Sequence, residues 1–247
     1  MPDAWDLVLT EERSADTTTT FIFFCEDKVN EPAYFHSFQR DKKVKINFVE
    51  DQKSDYTNYL NTIKYCLDEG LMQPIAGGYQ LTQGITQNIW CIYDRDAEVQ
   101  NQEALNPIYQ IKFSTAIQTA QAAGLKVAWS NDVFELWILL HFEDVTPGQW
   151  QHRRYIYDRL TVIFQTLPMQ SPEMQVVTSN VHFDYKEAMK KKQNFIAFVR
   201  PLLPPRQENA IQRALALEAA FLGNMPYHDR NPCTKIYELV RCIESFY

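Results

Sequence analysis

The sequence predicts an α/β fold, a mostly parallel sheet flanked by helices on both faces, followed by a helical C-terminal region. Two observations carry this. Between Thr20 and Trp129, short apolar runs of strand length alternate four times with segments whose apolar residues recur at helical spacing. Beyond Pro147 helical periodicity dominates and only one further short strand-like run occurs.

Residues 20–25 (TFIFFC) form an apolar run bounded by charged residues, the pattern of a buried strand. Residues 31–40 place Tyr34, Phe35 and Phe38 at helical spacing, with Pro32 tolerated in a first turn. Residues 44–49 (VKINFV) alternate like a half-buried strand, and residues 55–67 carry Tyr59, Leu60, Ile63 and Leu67 on a helical face. A loop is expected around Gly77, Gly78 and Gly84, then a third strand over residues 88–93 (NIWCIY). Residues 106–123 read as a helix closed by Gly124, and residues 125–129 as a fourth strand. Helices are expected over residues 153–166, 186–200, 207–222 and 234–246, with a short strand at 175–178. The resulting division is a flexible lead-in at 1–19, an α/β core at 20–146, and a helical region at 147–247 packed on it. The Thr146-Pro147-Gly148 turn marks the junction.

Of 247 residues, 45% are apolar, and Gly and Pro number only 7 and 12, which excludes disordered and collagen-like chains. The 24 Lys and Arg face 31 Asp and Glu, a net charge of −7. That rules out a uniformly basic surface but leaves local basic patches open. The five cysteines show no metal-ligand spacing and cannot all pair within one chain, so reduced thiols are expected. No stretch approaches the roughly 20 apolar residues of a membrane span, and the acidic first residues do not resemble a signal peptide. A cytoplasmic protein without a membrane partner is the expectation.

Parallel sheets place their sites beyond the carboxyl ends of strands. Glu26 and Asp27 follow the first strand there, and Asp94 and Asp96 follow the third, with Glu98 close behind. If strand geometry persists, Asp94 and Asp96 leave on one face. Together with Glu26 they would repel one another unless a cation lay between them. Hard oxygen donors suit Mg²⁺ or Mn²⁺. Each acid also has a plainer reading as a loop-solvating or helix-capping group, as Glu31 does in a first helical turn. In the same way Asp132 to Glu135 fit a helix-start capping pattern, His141 fits a core histidine, and Asn231 with Pro232 fits the start of the last helix.

Five ordered blocks bear on this choice. FIFFCEDKVNEPAYF (21–35) resembles the "CEG…TEPxYF" opening of the RloB-like family, a bacterial group with a Toprim-type domain. IYDRDAE (92–98) matches its Asp-x-Asp strand end, and SNDVFELWILLHF (130–142) is similar to its "SNPxFExWLLLHF" block. Near the C-terminus, Tyr185-Lys186 and NPCTKIYELV (231–240) resemble its "YxK" and "NPSTxVxxLV" elements. The resemblance implies that Glu26 is the Toprim glutamate, with acid or base work, and that Asp94 and Asp96 bind the metal. It raises Glu135 and His141 to catalytic candidates and Asn131 and Asn231 to substrate-lining ones. Two positions depart from the pattern: Asp27 stands where Gly is usual, and Asp132 where Pro is usual.

Between Lys186 and Arg213 seven basic residues face two acids, a balance of +5 that leaves −12 for the rest. Lys186, Lys190 and Lys191 are the candidates for gripping a polyanion, against the plainer reading of a solvated helix face. A second, weaker basic group is His152, Arg153, Arg154 and Arg159. The expectation that follows is a Mg²⁺- or Mn²⁺-dependent nuclease of bacterial anti-phage defence, acting on RNA or tRNA in preference to DNA. A non-catalytic Toprim-like sensor or regulator partnered with another defence protein is the alternative, and primase-like nucleotidyl transfer the third. Oligomerisation is compatible with any of them.

Overall fold

The computed structural model describes residues 18–49, 58–85, 88–97, 99 and 102–247. Most of the expected lead-in, the start of the second predicted helix and Glu98 lie outside these residues.

The chain runs β1 (Thr19–Cys25), α1 (Asn30–Phe35), β2 (Val44–Val49), α2 (Asn58–Asp68), β3 (Met72–Ile75), β4 (Gly78–Leu81), β5 (Asn88–Asp94), α3 (Pro107–Ala122), β6 (Lys126–Asn131) and α4 (Glu135–Leu140). The C-terminal region adds α5 (Arg153–Thr166), α6 (Pro172–Thr178), α7 (Tyr185–Ala188), α8 (Lys192–Asn194), α9 (Gln207–Ala219), β7 (Cys233–Thr234) and α10 (Ile236–Glu244). Five strands form one sheet in the order β2-β1-β5-β6-β7. The first four are parallel and β7 is antiparallel to β6. The fold is therefore a mostly parallel α/β sheet flanked by helices with a helical C-terminal region.

Strand side chains alternate between two cores, as a period of two requires. Phe21, Phe23, Trp90, Ile92 and Ala128 face the core shared with α1, α4, α5, α9 and α10. Ile22, Phe24, Cys91, Tyr93 and Trp129 face α2 and α3. Burial on both faces explains why β1 and β5 read as continuous apolar runs. The α3 start follows the expected rule: the Asn106 side chain accepts from the Ile108 N–H, and Pro107 occupies the first turn. Its end turns through Gly124 at φ +85°.

Four expectations are corrected. The glycine loop is a β3–β4 hairpin, with Gly77 at φ +85° in its two-residue turn; its strands are largely exposed and carry Pro74, so no apolar run announced them. Residues 175–178 are not a strand but the end of α6, whose start is built by Ser171 accepting from Met174 N–H, with Pro172 next. The single helix expected over 186–200 is interrupted: Lys191 is extended at ψ 129°, and the Asn194 side chain donates to the Ala188 carbonyl. A π turn (Phe195–Val199) and a 3₁₀ turn (Arg200–Leu202) follow. The last helix begins at Ile236, because residues 233–234 are taken by β7.

The five cysteines are free, four of them buried. Among the described residues no helix is long and apolar enough to cross a membrane.

Candidate active site

Strands β1 and β5 are neighbours, paired Cys25 to Ile92, so Glu26 and Asp94 emerge side by side at their carboxyl ends. Glu26 Oε2 accepts from the Asp94 backbone N–H at 2.9 Å, fixing one carboxylate on the other's main chain. Asp94 Oδ2 accepts from Phe134 N–H at 2.9 Å at the entry to α4, while its Oδ1 is buried without a donor. Burial pushes the Glu26 carboxyl up to about 8, with the Asp94 N–H opposing and the Asp96 charge adding to the rise. Burial also lifts Asp94 well above the ordinary carboxylate range, reinforced by Asp96, Glu26 and Glu135.

Asp96 reaches this neighbourhood by a different route from the one its spacing suggested. β5 ends at Asp94, and Asp96 adopts φ +51°, a left-handed conformation that Asp tolerates. Its Oδ1 pairs with Arg153 Nη1 at 2.8 Å, and its side chain is 52% exposed. The turn is held by Asp132, which is fully buried: Oδ1 accepts from Ala97 N–H at 2.6 Å, and Oδ2 accepts from Arg153 N–H at 2.9 Å and Nε at 3.3 Å. Asp132 is thus no helix cap, and α4 has no side-chain cap of its own at its N-cap residue; the acceptor at its entry comes from Asp94. Arg153 also donates to the Ala97 carbonyl through Nη2 and opens on a cleft of about 310 Å³ lined by Arg154, Tyr157, Asp184 and Lys186.

Glu135 lies behind Asp94 on α4, 2% exposed. Its Oε1 meets Lys190 Nζ at 2.8 Å and Asn30 Nδ2 at 3.4 Å, and its Oε2 accepts from Tyr157 OH at 3.4 Å. Lys190 donates to Tyr157 OH as well, at 3.3 Å. Although burial opposes it, Glu135 holds the Lys190 ammonium firmly protonated. Of the three candidate lysines, only Lys190 turns inward to the carboxylates. Lys186 is exposed on the cleft, its closest acid being Glu187 at 3.8 Å, and Lys191 is exposed at the start of α8.

Asn131 and Asn231 are buried braces rather than groups open to a ligand. Asn231 Nδ2 donates to Asn131 Oδ1 at 2.9 Å, and its Oδ1 accepts from Gln151 N–H. Asn131 Oδ1 also accepts from Arg95 Nη1, while its Nδ2 reaches the carbonyls of His228 and Arg230. Asn231 lies upstream of β7 and so does not cap α10. His141 sits at the far end of α4, 1% exposed, its Nδ1 at 2.8 Å from the Trp137 carbonyl and its ring packed on Trp137. Burial lowers it to about 4, and the structure does not bring it to the carboxylates.

Asp27 settles its own departure from glycine. Its carboxylate accepts from Val29 N–H at 2.8 Å and Asn30 N–H at 2.9 Å, so the side chain builds the turn into α1. Sequence reasoning does not single out Asn30 or Tyr157, and it reads Glu31 only as an acid favoured by the helix dipole. Glu31 is fully buried, and burial raises it well above the carboxylate range, with Asp94, Asp27 and Glu26 all adding to the rise. The available signal was an acid five residues after Glu26, but the helix-dipole account covered it equally well.

Among the described residues no three His, Cys, Asp or Glu side chains converge as a ready cation cage. Mg²⁺ does not require one, since it binds through one or two carboxylates and keeps waters or phosphate oxygens in its other positions. Glu26 and Asp94 offer all-oxygen donors of that kind, and the unpaired Asp94 Oδ1 is suited to a cation.

No curated protein and no solved structure matches the chain. The family model described as RloB-like protein matches residues 21–243, which span the sheet, the carboxylates at its strand ends and the helical region, and the chain belongs to the RloB-like family.

Proposed function

We propose that this protein is a Mg²⁺- or Mn²⁺-dependent phosphodiesterase acting on nucleic acid, RNA in preference to DNA, in bacterial defence. The observation that carries the reading is the pairing of Glu26 and Asp94 on adjacent parallel strand ends, locked by one hydrogen bond and both raised above the carboxylate range. Acids held this close in a buried site favour a divalent cation over mutual repulsion. Glu26 and Asp94 are its carboxylates, and the Toprim-type resemblance adds Asp96. Bound there, such a cation supplies charge neutralisation for a scissile phosphate and activation of an attacking oxygen. Arg153, standing between Asp96 and the cleft, would meet the phosphate with the two guanidinium N–H groups left over from Asp96, Asp132 and the Ala97 carbonyl. Lys186 and Arg154 line the same cleft, each beside an acid, Glu187 at 3.8 Å and Asp158 at 3.9 Å, so a nucleic-acid strand there meets basic groups interleaved with acids. The preference for RNA and the defence role rest on the family resemblance.

Labelled RNA and DNA incubated with the protein and Mg²⁺ or Mn²⁺ test this directly, with Asp94→Asn as control. Equal cleavage by both proteins, or none by either, overturns the proposal. One observation favours a second reading, a non-catalytic sensor or regulator: Arg153 already neutralises Asp96. That reading expects no carboxylate-dependent Mg²⁺ binding. Primase-like transfer expects incorporation of labelled nucleotide instead.

A further inference from the structure

Buried polar atoms without a partner cluster beside this site. Asn30 Oδ1, Glu31 Oε1 and Asp94 Oδ1 all lack a donor. Each is an acceptor, and a buried acceptor is satisfied only by a donor or a cation. Glu31 is the extreme case: it is 0% exposed, and its other oxygen accepts a single 3.3 Å bond from Asp27 N–H. The charges acting on it, from Asp94, Asp27 and Glu26, are all negative. Asn30 belongs to the same neighbourhood through its Nδ2 bond to Glu135, which leaves its carbonyl oxygen as a neutral, unsatisfied acceptor. Asp96 stands in contrast, half exposed and already paired with Arg153.

We propose that Glu31 is a ligand of the divalent cation at Asp94, with Asn30 Oδ1 as a neutral oxygen beside it, and that Asp96 lies outside the ligand set. This rests on the metal-dependent reading above and changes its third ligand. Three acids, Glu26, Asp94 and Glu31, and one amide oxygen leave room for the waters and phosphate oxygens that Mg²⁺ and Mn²⁺ retain. Asp96 then serves to hold Arg153 at the mouth of the cleft.

The test is calorimetric titration of Mn²⁺ into the purified full chain at neutral pH, without nucleic acid. Glu31→Gln, which preserves shape and removes charge, is expected to weaken binding by about tenfold or more, and Asp96→Asn by less than about threefold. Wild-type affinity in Glu31→Gln, or an equal loss in Asp96→Asn, overturns the assignment while leaving a metal-dependent site standing. No Mn²⁺ bound by the wild type overturns both. Should Glu31→Gln fail to fold, a Mn²⁺-soaked crystal of the wild type decides: anomalous density at about 2.1–2.3 Å from a Glu31 oxygen supports the assignment. Density on Asp94 and Asp96 alone overturns it.

Discussion

The Asp94 carboxylate accepts from the Phe134 backbone N–H at 2.9 Å, so the last residue of β5 also holds the entry to α4. One side chain thus serves the fold through Oδ2 and the site through Oδ1. Asp94→Asn keeps an acceptor for Phe134 and removes the charge, whereas Asp94→Ala removes both. In a chelator at neutral pH, Asp94→Ala is expected to be less stable than Asp94→Asn by about 1–2 kcal/mol, the cost of losing a capping acceptor. Denaturant unfolding of the two variants measures this. Both should lose cleavage by about a hundredfold or more, so equal stability would show that the Phe134 bond contributes nothing.

The sheet was legible because its strands are buried on both faces and announce themselves as apolar runs, as residues 20–25 and 88–93 do. Glu26 and Asp94 were legible for the same reason, since a strand's end locates the residues beyond it. What escaped depends on chain reversals and long-range partners. The left-handed turn at Asp96 is set by Asp132, 36 residues on, whose side chain accepts from Ala97 N–H. Lys190 looks like part of a solvated lysine run until the helix break after it is known; only Glu135 across the core explains its direction. Asn131 and Asn231, 100 residues apart, look like site groups in sequence and are braces in space.

The carboxylates set an unusual pH dependence. Glu26 ionises near 4.5 when unfolded and at about 8 when folded, so between these values the folded state binds more protons than the unfolded one. Stability without metal therefore falls as pH rises through this window, by on the order of a few kcal/mol. Glu31, Asp94 and Asp96, raised likewise, act with the same sign. Thermal melts across the window should show the decline, reduced in Glu26→Gln. Added Mn²⁺ should raise the melting temperature more at the alkaline end than at the acid end.

His141 acts in the opposite direction. Its folded value is lowered from 6.5 to about 4 by burial, so its contribution is fully present above the unfolded value and is lost as pH falls to about 4. His141→Gln should lessen the loss of stability on acidification. It should also leave cleavage at neutral pH within about threefold of wild type, because a residue at the far end of α4 touches no reacting group. A larger loss of activity would return His141 to the site.

Asp132 is the buried joint of the Asp96 turn. Asp132→Asn keeps one oxygen for Ala97 N–H but turns an amide donor toward Arg153, whose N–H and Nε need an acceptor there. Donor facing donor in a buried site is costly, and a loss of about 2–4 kcal/mol is expected. Chemical denaturation measures it. A change below about 0.5 kcal/mol, the range of neutral surface substitutions, would mean that the turn stands without this joint.

Glu135 and Lys190 form the buried pair behind the carboxylates, with the Glu135 side chain 2% exposed and the Lys190 side chain 31%. Removing one partner leaves the other buried and uncompensated, which typically costs about 3–5 kcal/mol, whereas removing both charges is often nearly neutral. Lys190→Met alone should therefore destabilise strongly, and Glu135→Gln with Lys190→Met should recover most of the loss, a coupling that a double-mutant cycle isolates. The same cycle separates structure from chemistry. A pair that only braces α4 against the segment after α7 gives a double variant with wild-type folding and wild-type cleavage. A Lys190 that also meets the substrate gives a double variant that folds normally, binds Mn²⁺ normally and still cleaves slowly, with a weaker salt dependence of nucleic-acid binding, since one cation fewer displaces counterions from the strand.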